Sequence, residues 1–493
     1  MRLASYMHGK EKWEMNKTVA ATILTFVLSS MLTSAFSLEL SEAEEKIYIR
    51  SDGTIDPPKA PIQRDRETYT FTDNISKPVI LQKNNTVVDG NGYALEGNGI
   101  SYGFDLSKTE NITIKNTKIS NFSAGIRIYY STDTTLINNT IKKCVYGILL
   151  SKSPYSKISN NTIDSNHWDG IFLTYSDGST INNNIILNHS KWGLYLGSST
   201  DIILRNNQII GNRWNFGVAE NFIHDIDASN SVDGKPIYYW VNQHDKQVPA
   251  NAGYVAVVNC VNIIVRNLNL TKNGQGVVLV NSENCLVEYS NITKMGYYAI
   301  QLVKSNSNTI HNNKITDNKP PYFGVGIAVQ SHSTGNIISN NIIKNNGKCI
   351  LFYDSSANTI YHNNFVENAV QASNVGSTNV WDAGYPSGGN YWSDYAGADN
   401  KSGTDQDKPG KDGIGDEPHV IDETNRDNYP FISMVPEIGR ETSINVDLIW
   451  ISIGIAAVIA VVVLVYLKRA RKSNPNEAKY NYVGAKTKSL SFR

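Results

Sequence analysis

Two columns of residues recur through this chain at one spacing of 22 to 24 residues, and that shared period constrains its fold more than any other feature. In the first, Gly125, Gly147, Gly170, Gly193 and Gly217 are each followed by Ile, Leu or Val. After an interruption the column resumes at Gly276, Ala299, Gly326 and Cys349. The second runs Thr117, Asn139, Asn161, Asn184, Asn207, then Leu268, Ser290, Asn313, Asn341 and Asn363. Such a repeat predicts a solenoid, in which each unit buries its apolar face against its neighbours.

The unit is too short for two packed helices, and Asn, Ser, Thr and Gly crowd it. Its aliphatic residues alternate, as in Ile171 and Leu173 against Phe172 and Thr174, the period of a strand with one buried face. Three short strands per unit predict an all-β fold: a right-handed parallel β-helix of about ten coils rising roughly 4.8 Å each. Asn suits corners that need a left-handed backbone, and its amides stack along a rod. The asparagines are therefore read as structural. The boundaries expected are an N-terminal cap at 38–78, the β-helix at 79–380 with an insertion at 219–258 folded over a face of the rod, and a C-terminal cap at 381–431. Cys144, Cys260, Cys285 and Cys349 share no column, so buried free thiols are expected rather than disulfides.

Both ends carry apolar runs. Residues 18–36 follow Lys10, Lys12 and Lys17 and read as the core of a signal peptide within 1–37. Residues 448–467 contain no charge and are followed at once by "KRARK", which predicts a single transmembrane helix with the tail 468–493 in the cytoplasm. Residues 432–447 form the linker. The chain is then a single-pass cell-membrane protein with its β-helix outside. The formal charge is zero, from 45 basic and 45 acidic residues. With both termini set aside, 33 basic and 42 acidic residues remain, a balance that argues against nucleic acid as a partner.

The most suggestive chemistry lies on coils 146–216. Tyr146, His167, Trp168, Asp169, Phe172, Tyr175, Lys191, Trp192, Tyr195, Arg213, Trp214 and Phe216 fall at outward or corner positions. Exposed rings at a coil repeat would form a stripe edged by charge, on which sugar faces stack. The competing reading packs these rings under the 219–258 insertion. Hydrolysis would need paired carboxylates on neighbouring coils. The equivalents of Asp164 and Asp169 on the next coil are Leu187 and Trp192, leaving Glu220, Asp225 and Asp227 near Arg213 and His224 as the acidic candidates. Binding without catalysis is the favoured reading. In the C-terminal cap, Asp405, Asp407, Asp412 and Asp416 lie on a glycine-punctuated loop, a pattern compatible with calcium although the full EF-hand spacing is missing.

Three stretches carry a family resemblance: "VVDGNGYALEG" from Val87, "NSVDGKPIYYWVNQHDKQVPANAGYVAVVNC" from Asn230, and "WDAGYPSGGNYWSDYAGAD" through "DGIGDEPHVID" from Trp381. They resemble the NosD-like β-helix family, in its membrane-anchored archaeal surface versions, from about Ile47 to Phe431. The resemblance implies a right-handed β-helix outside the cytoplasm, among repeats of carbohydrate-binding proteins and sugar hydrolases, and a family role in copper loading. Copper(I) handling favours Met, Cys and His clusters. Here only Met295 and Met434 follow the leader, and His224 and His244 stand near Asp225, Asp227 and Asp245. Copper is thus not expected. The partner expected is a polysaccharide or glycan, or another surface protein. A structural envelope element, a lyase or hydrolase, and a copper accessory protein are the alternatives.

Overall fold

The computed structural model describes residues 45–319 and 323–436. The expectations for 1–37, 448–467 and 468–493 lie outside these residues. No helix among the described residues is long and apolar enough to cross a membrane.

The chain winds into a parallel β-helix of about 14 turns, more than the ten expected, with no helices among the described residues. One coil shows the plan. Tyr146–Ser151, Lys157–Ser159 and Thr162–Asp164 form three walls. The next coil stacks above in parallel, with Ile148 opposite Ile171 and Leu150 opposite Leu173. Ile148, Leu150, Ile158 and Ile163 point inward and are fully buried.

The asparagine column bonds coil to coil. The backbone N–H of Asn139 donates to Oδ1 of Asn161 at 2.9 Å, that of Asn161 to Asn184 at 2.9 Å, and that of Asn184 to Asn207 at 3.1 Å. Each Nδ2 also donates along the column, as from Asn161 to Asn184 Oδ1 at 3.0 Å. The left-handed corner falls one residue earlier than expected, at Asn138, Asn160, Asn183 and Asn206, with φ of 54–57°. A second ladder is made of serines, Ser131, Ser153, Ser176 and Ser199. A third runs from Cys144 through Asn166, His189 and Asn212.

The solenoid is two rods rather than one. The segment 219–258 is no flap over a face. Its first part, Asp225–Ile226 and Ser231–Val232, completes the last coil of the first rod. Asp233 and Gly234, both at positive φ, then form a two-residue turn that sets Lys235–Pro236 antiparallel to Ser231–Val232, as Asp-Gly hairpins do. Strand direction reverses and the third wall of the first rod continues as the long-strand wall of the second, in one 14-stranded sheet. Near the junction both faces of this wall are buried. Tyr254, Ala256, Val258 and Val278 belong to the first core, and Val255, Val257, Val277 and Leu279 to the second.

The register also moves one expected column. Asn215, not Gly217, stands on Gly193, and Phe216 aligns with Leu194 in the core while Gly217 stacks on Tyr195. At the far end the cap closes the ladders. The N–H of Asn379 donates to Asn425 Oδ1 at 2.9 Å, and that of Asn390 to Asp427 Oδ2 at 2.7 Å. Trp381 and Trp392 cover the apolar interior.

Asn184→Ala leaves the Asn161 amide buried without an acceptor. It is expected to cost about 3 kcal/mol, read as a lower urea midpoint and faster hydrogen exchange at Asn161. His189 is a different case. Burial holds its pKa down to about 4, against about 6.5 in the unfolded chain. The unfolded state therefore binds a proton that the folded state refuses between those values. Stability from this group is intact above pH 6.5 and lost as pH falls towards 4, by about 3 kcal/mol. Buried Asp169 and Asp427, raised to about 6 and about 7, act in the opposite sense, so the comparison is with His189→Asn. That variant fits the ladder of Asn166 and Asn212. Its melting temperature relative to wild type is expected to rise as pH is lowered from 7 to 4.

Candidate functional site

The junction of the rods builds a cleft of about 470 Å³. One side is the outer face of the last first-rod coils, with Tyr195, Ala219, Glu220 and Phe222. The other is the outer face of the long-strand wall of the second rod, with Tyr298, Gln301, Gln330 and Tyr353.

Its floor is a glutamine ladder. Gln275 Nε2 donates to Val218 O at 2.6 Å and to Gln301 Oε1 at 3.3 Å, and Gln301 Nε2 donates to Gln330 Oε1 at 2.9 Å. Gln275 Oε1 also receives the Tyr254 hydroxyl at 3.3 Å. The first of these bonds ties the second rod to the first, which fixes the cleft width. Rings line the rest. Phe172 and Tyr195 stack with centroids 4.9 Å apart and planes within 12°. Tyr195 meets Tyr297 at 6.4 Å, and Phe323 lies parallel to Tyr298 at 5.7 Å.

The expected stripe is thus partly kept and partly buried. Trp168, Tyr175 and His167 are exposed, and Tyr146, Phe172, Lys191 and Tyr195 are half-buried. Tyr146 meets the Trp168 ring edge-on at 5.3 Å, and the Lys191 ammonium lies 3.8 Å over Trp168. Trp192, Trp214, Phe216 and Asp169 are corrected to buried positions. The cover is not the 219–258 segment alone. Trp192 packs on Tyr297 of the second rod at 5.1 Å, and a Cβ on Gly274 would sit 2.9 Å from its ring. A Cβ on Gly296 would sit 3.0 Å from Trp214. Phe216 meets Tyr254 edge-on at 4.9 Å. Asp169 accepts from the Trp192 N–H at 2.9 Å, and burial pushes its carboxyl up to about 6. Arg213 is exposed, with its guanidinium 4.6 Å over Trp214.

The acidic candidates do not converge. Glu220 is the one carboxylate lining the cleft among the described residues, and it accepts from the Ser198 hydroxyl. Asp225 and Asp227 instead pair with Arg205 on a neighbouring coil. His224 is buried, its pKa held down to about 4. The glutamines, Tyr297 and Tyr298 escaped the sequence reading. Their signal is Gln at 275, 301 and 330, close to the coil period.

In the cap, Asp412 accepts from Gln406 Nε2 and the Ile414 N–H, and Asp416 from the Asn400 and Lys401 amides. Asp405 and Asp407 are exposed. No group of three or more His, Cys, Asp or Glu among the described residues is placed to hold a metal ion.

The family described as periplasmic copper-binding protein (NosD) matches residues 45–230 and 218–397. No curated protein matches the chain. Solved structures similar to it include the A-module of the mannuronan C-5 epimerase AlgE6 of Azotobacter vinelandii. It is 16% identical with a TM-score of 0.28, over 64% of this chain and 88% of that one. The tailspike of E. coli bacteriophage HK620, in complex with a hexasaccharide, is 9% identical with a TM-score of 0.25, over 63% and 69%. A mannuronic acid specific polysaccharide family 6 lyase from human gut microbiota is 12% identical with a TM-score of 0.24, over 66% and 77%. At these scores no site residue is carried across.

Among the described residues, the cysteines and the histidines of the coil walls do not fit copper. All four cysteines are buried and free. Burial raises every thiol, Cys144 and Cys285 to about 11, which disfavours the thiolate that binds metal. His189 and His224 each commit Nδ1 to a backbone N–H of the coil below. His311 pairs with Glu288 at 2.7 Å, and Arg266 pairs with the same carboxylate at 3.1 Å.

Two indoles separate the roles of the aromatic set. Trp192→Ala removes a ring that joins the rods and is expected to cost about 4 kcal/mol. Trp168→Ala removes a half-exposed ring and should cost under about 1 kcal/mol. Denaturant midpoints of the two variants check the order.

Proposed function

Because this chain belongs to the NosD family, we propose, from its junction cleft, that it is a surface β-helix protein that binds a glycan without cleaving it. One observation carries the reading. A run of rings from Trp168 through Tyr146, Phe172 and Tyr195 continues across the junction to Tyr297, Tyr298 and Phe323, beside a floor of primary amides. Flat sugar faces stack on such rings, and glutamine amides both donate to and accept from hydroxyls. The pairing of apolar walls with a few fixed polar groups is the usual make-up of a small-molecule or sugar site.

Binding is favoured over cleavage because acid–base hydrolysis takes two carboxylates, one on each side of the bond, and among the described residues Glu220 is the carboxylate that lines the cleft. Copper delivery is not proposed, since no group of three or more His, Cys, Asp or Glu among the described residues is placed to hold a metal ion and the four thiols are buried. The uncharged run 448–467 with the basic residues behind it supports a single membrane anchor, which holds the rods on the outer side.

The test is binding of the full-length protein to a glycan panel, with product analysis of the same mixtures. Tyr298→Ala and Gln301→Ala are each expected to weaken the best binder about tenfold, ~1.4 kcal/mol, and no new chain ends should appear. New reducing or unsaturated ends that vanish in Glu220→Gln would make the protein an enzyme instead.

A further inference from the structure

Around the corner from the cleft, the same junction forms a second groove of about 370 Å³, and its chemistry is different. Arg213 and Trp214 come from the first rod, Lys272, Lys294 and Lys319 from the second. Lys272 and Lys294 stack one coil apart, since the residues before them, Thr271 and Thr293, are register partners. Both sit at left-handed corners with φ of 57° and 59°, so the backbone fixes where each side chain starts. The next coil places Asp317 in this column, and its carboxylate already accepts from Asn345 Nδ2.

Stacked like charges repel, and in several places this solenoid sets a carboxylate on the coil beside a cation. Lys115 has Asp89, Arg127 has Asp105, Arg205 has Asp225, Arg266 has Glu288 and Lys344 has Glu367. Arg213, Lys272 and Lys294 have no ion-pair partner among the described residues. They are concentrated on a stretch of chain whose acidic residues outnumber its basic ones. Trp214 makes the wall between groove and cleft. It packs on Trp192 at 5.2 Å, and Trp192 packs on Tyr195 and Tyr297. The turn that carries Lys294 reaches Tyr297 and Tyr298, which line the cleft, within four residues.

We infer that this groove holds the anionic groups of the bound polymer, which makes the ligand an acidic polysaccharide bearing carboxylates or sulfate esters. The inference rests on the cleft reading for the sugar and on Arg213, Lys272 and Lys294 for the charge. The ammonium and guanidinium groups form charge-assisted hydrogen bonds with either anion, and the backbone corners hold two of them at the coil spacing, roughly 4.8 Å.

The experiment measures binding of the full-length protein to polygalacturonate and to its methyl ester, and to dextran sulfate and dextran. The conditions are about 50 mM salt, where charge pairs are weakly screened. The acidic member of at least one pair is expected to bind about tenfold tighter, with the gap narrowing as salt is added. The pair that shows the gap identifies carboxylate or sulfate. The gap should close in Lys272→Gln/Lys294→Gln and shrink in Arg213→Gln, while Tyr298→Ala weakens acidic and neutral members alike. Equal binding within both pairs, or a gap that survives the lysine and arginine substitutions, overturns the inference and leaves the cleft reading standing. A gap that depends on the lysines but ignores Tyr298→Ala overturns the cleft reading and leaves the anionic groove standing. No binding to any of the four polymers overturns both.

Discussion

A single kind of hydrogen bond sets the register of this molecule: a backbone N–H at each coil corner donating to a side-chain oxygen one coil further on. Asn139 to Asn161 and Ser153 to Ser176 are two instances at different corners. A buried amide without a partner is costly, so slipping a coil by one residue would strand several at once, besides turning its aliphatic face outward. The ladders therefore do more than line the corners. They decide which residue stands above which, and so they decide that Phe172 lies under Tyr195 and Lys272 under Lys294. Surface chemistry here is inherited from corner chemistry.

The second constraint is the reversal at Asp233 and Gly234. By turning strand direction within one sheet, the chain makes two rods share a wall that is apolar on both faces. Their outer surfaces then meet at an angle that encloses space. Trp192, Trp214 and Phe216 are spent on sealing this joint, and the rings left open on either side, with the glutamine floor between them, form the cleft. Sealing and binding are adjacent uses of one aromatic set.

The architecture was legible because its signal is repeated many times, so single departures such as Thr117 or Ser290 do not hide it. The joint was harder to read because it occurs once. Asp233-Gly234 is a hairpin signal in its own right, yet inside a long segment off the period it read as part of an insertion. Gly217 followed by Val218 imitated the glycine column, while the residue standing in that column is Asn215. The imitation placed Phe216 outside when it is in the core. Outward aromatics on the first rod were found, but their cover was not, because Gly274 and Gly296 approach from coils more than fifty residues away in sequence. Acidic residues near Glu220 looked like a group in one dimension. The coil geometry sends Asp225 and Asp227 to Arg205 instead.

The direction of the ladders has a consequence for how such a chain is made. In the asparagine and serine ladders each corner amide leans on the coil that follows it, and the last donors of two asparagine ladders are met by Asn425 and Asp427. During vectorial synthesis, then, each partial product ends in a frontier of thirsty amides that only later sequence quenches. The cap at 381–431 is less a lid than a terminator, and a molecule truncated before it would carry a sticky, strand-recruiting end.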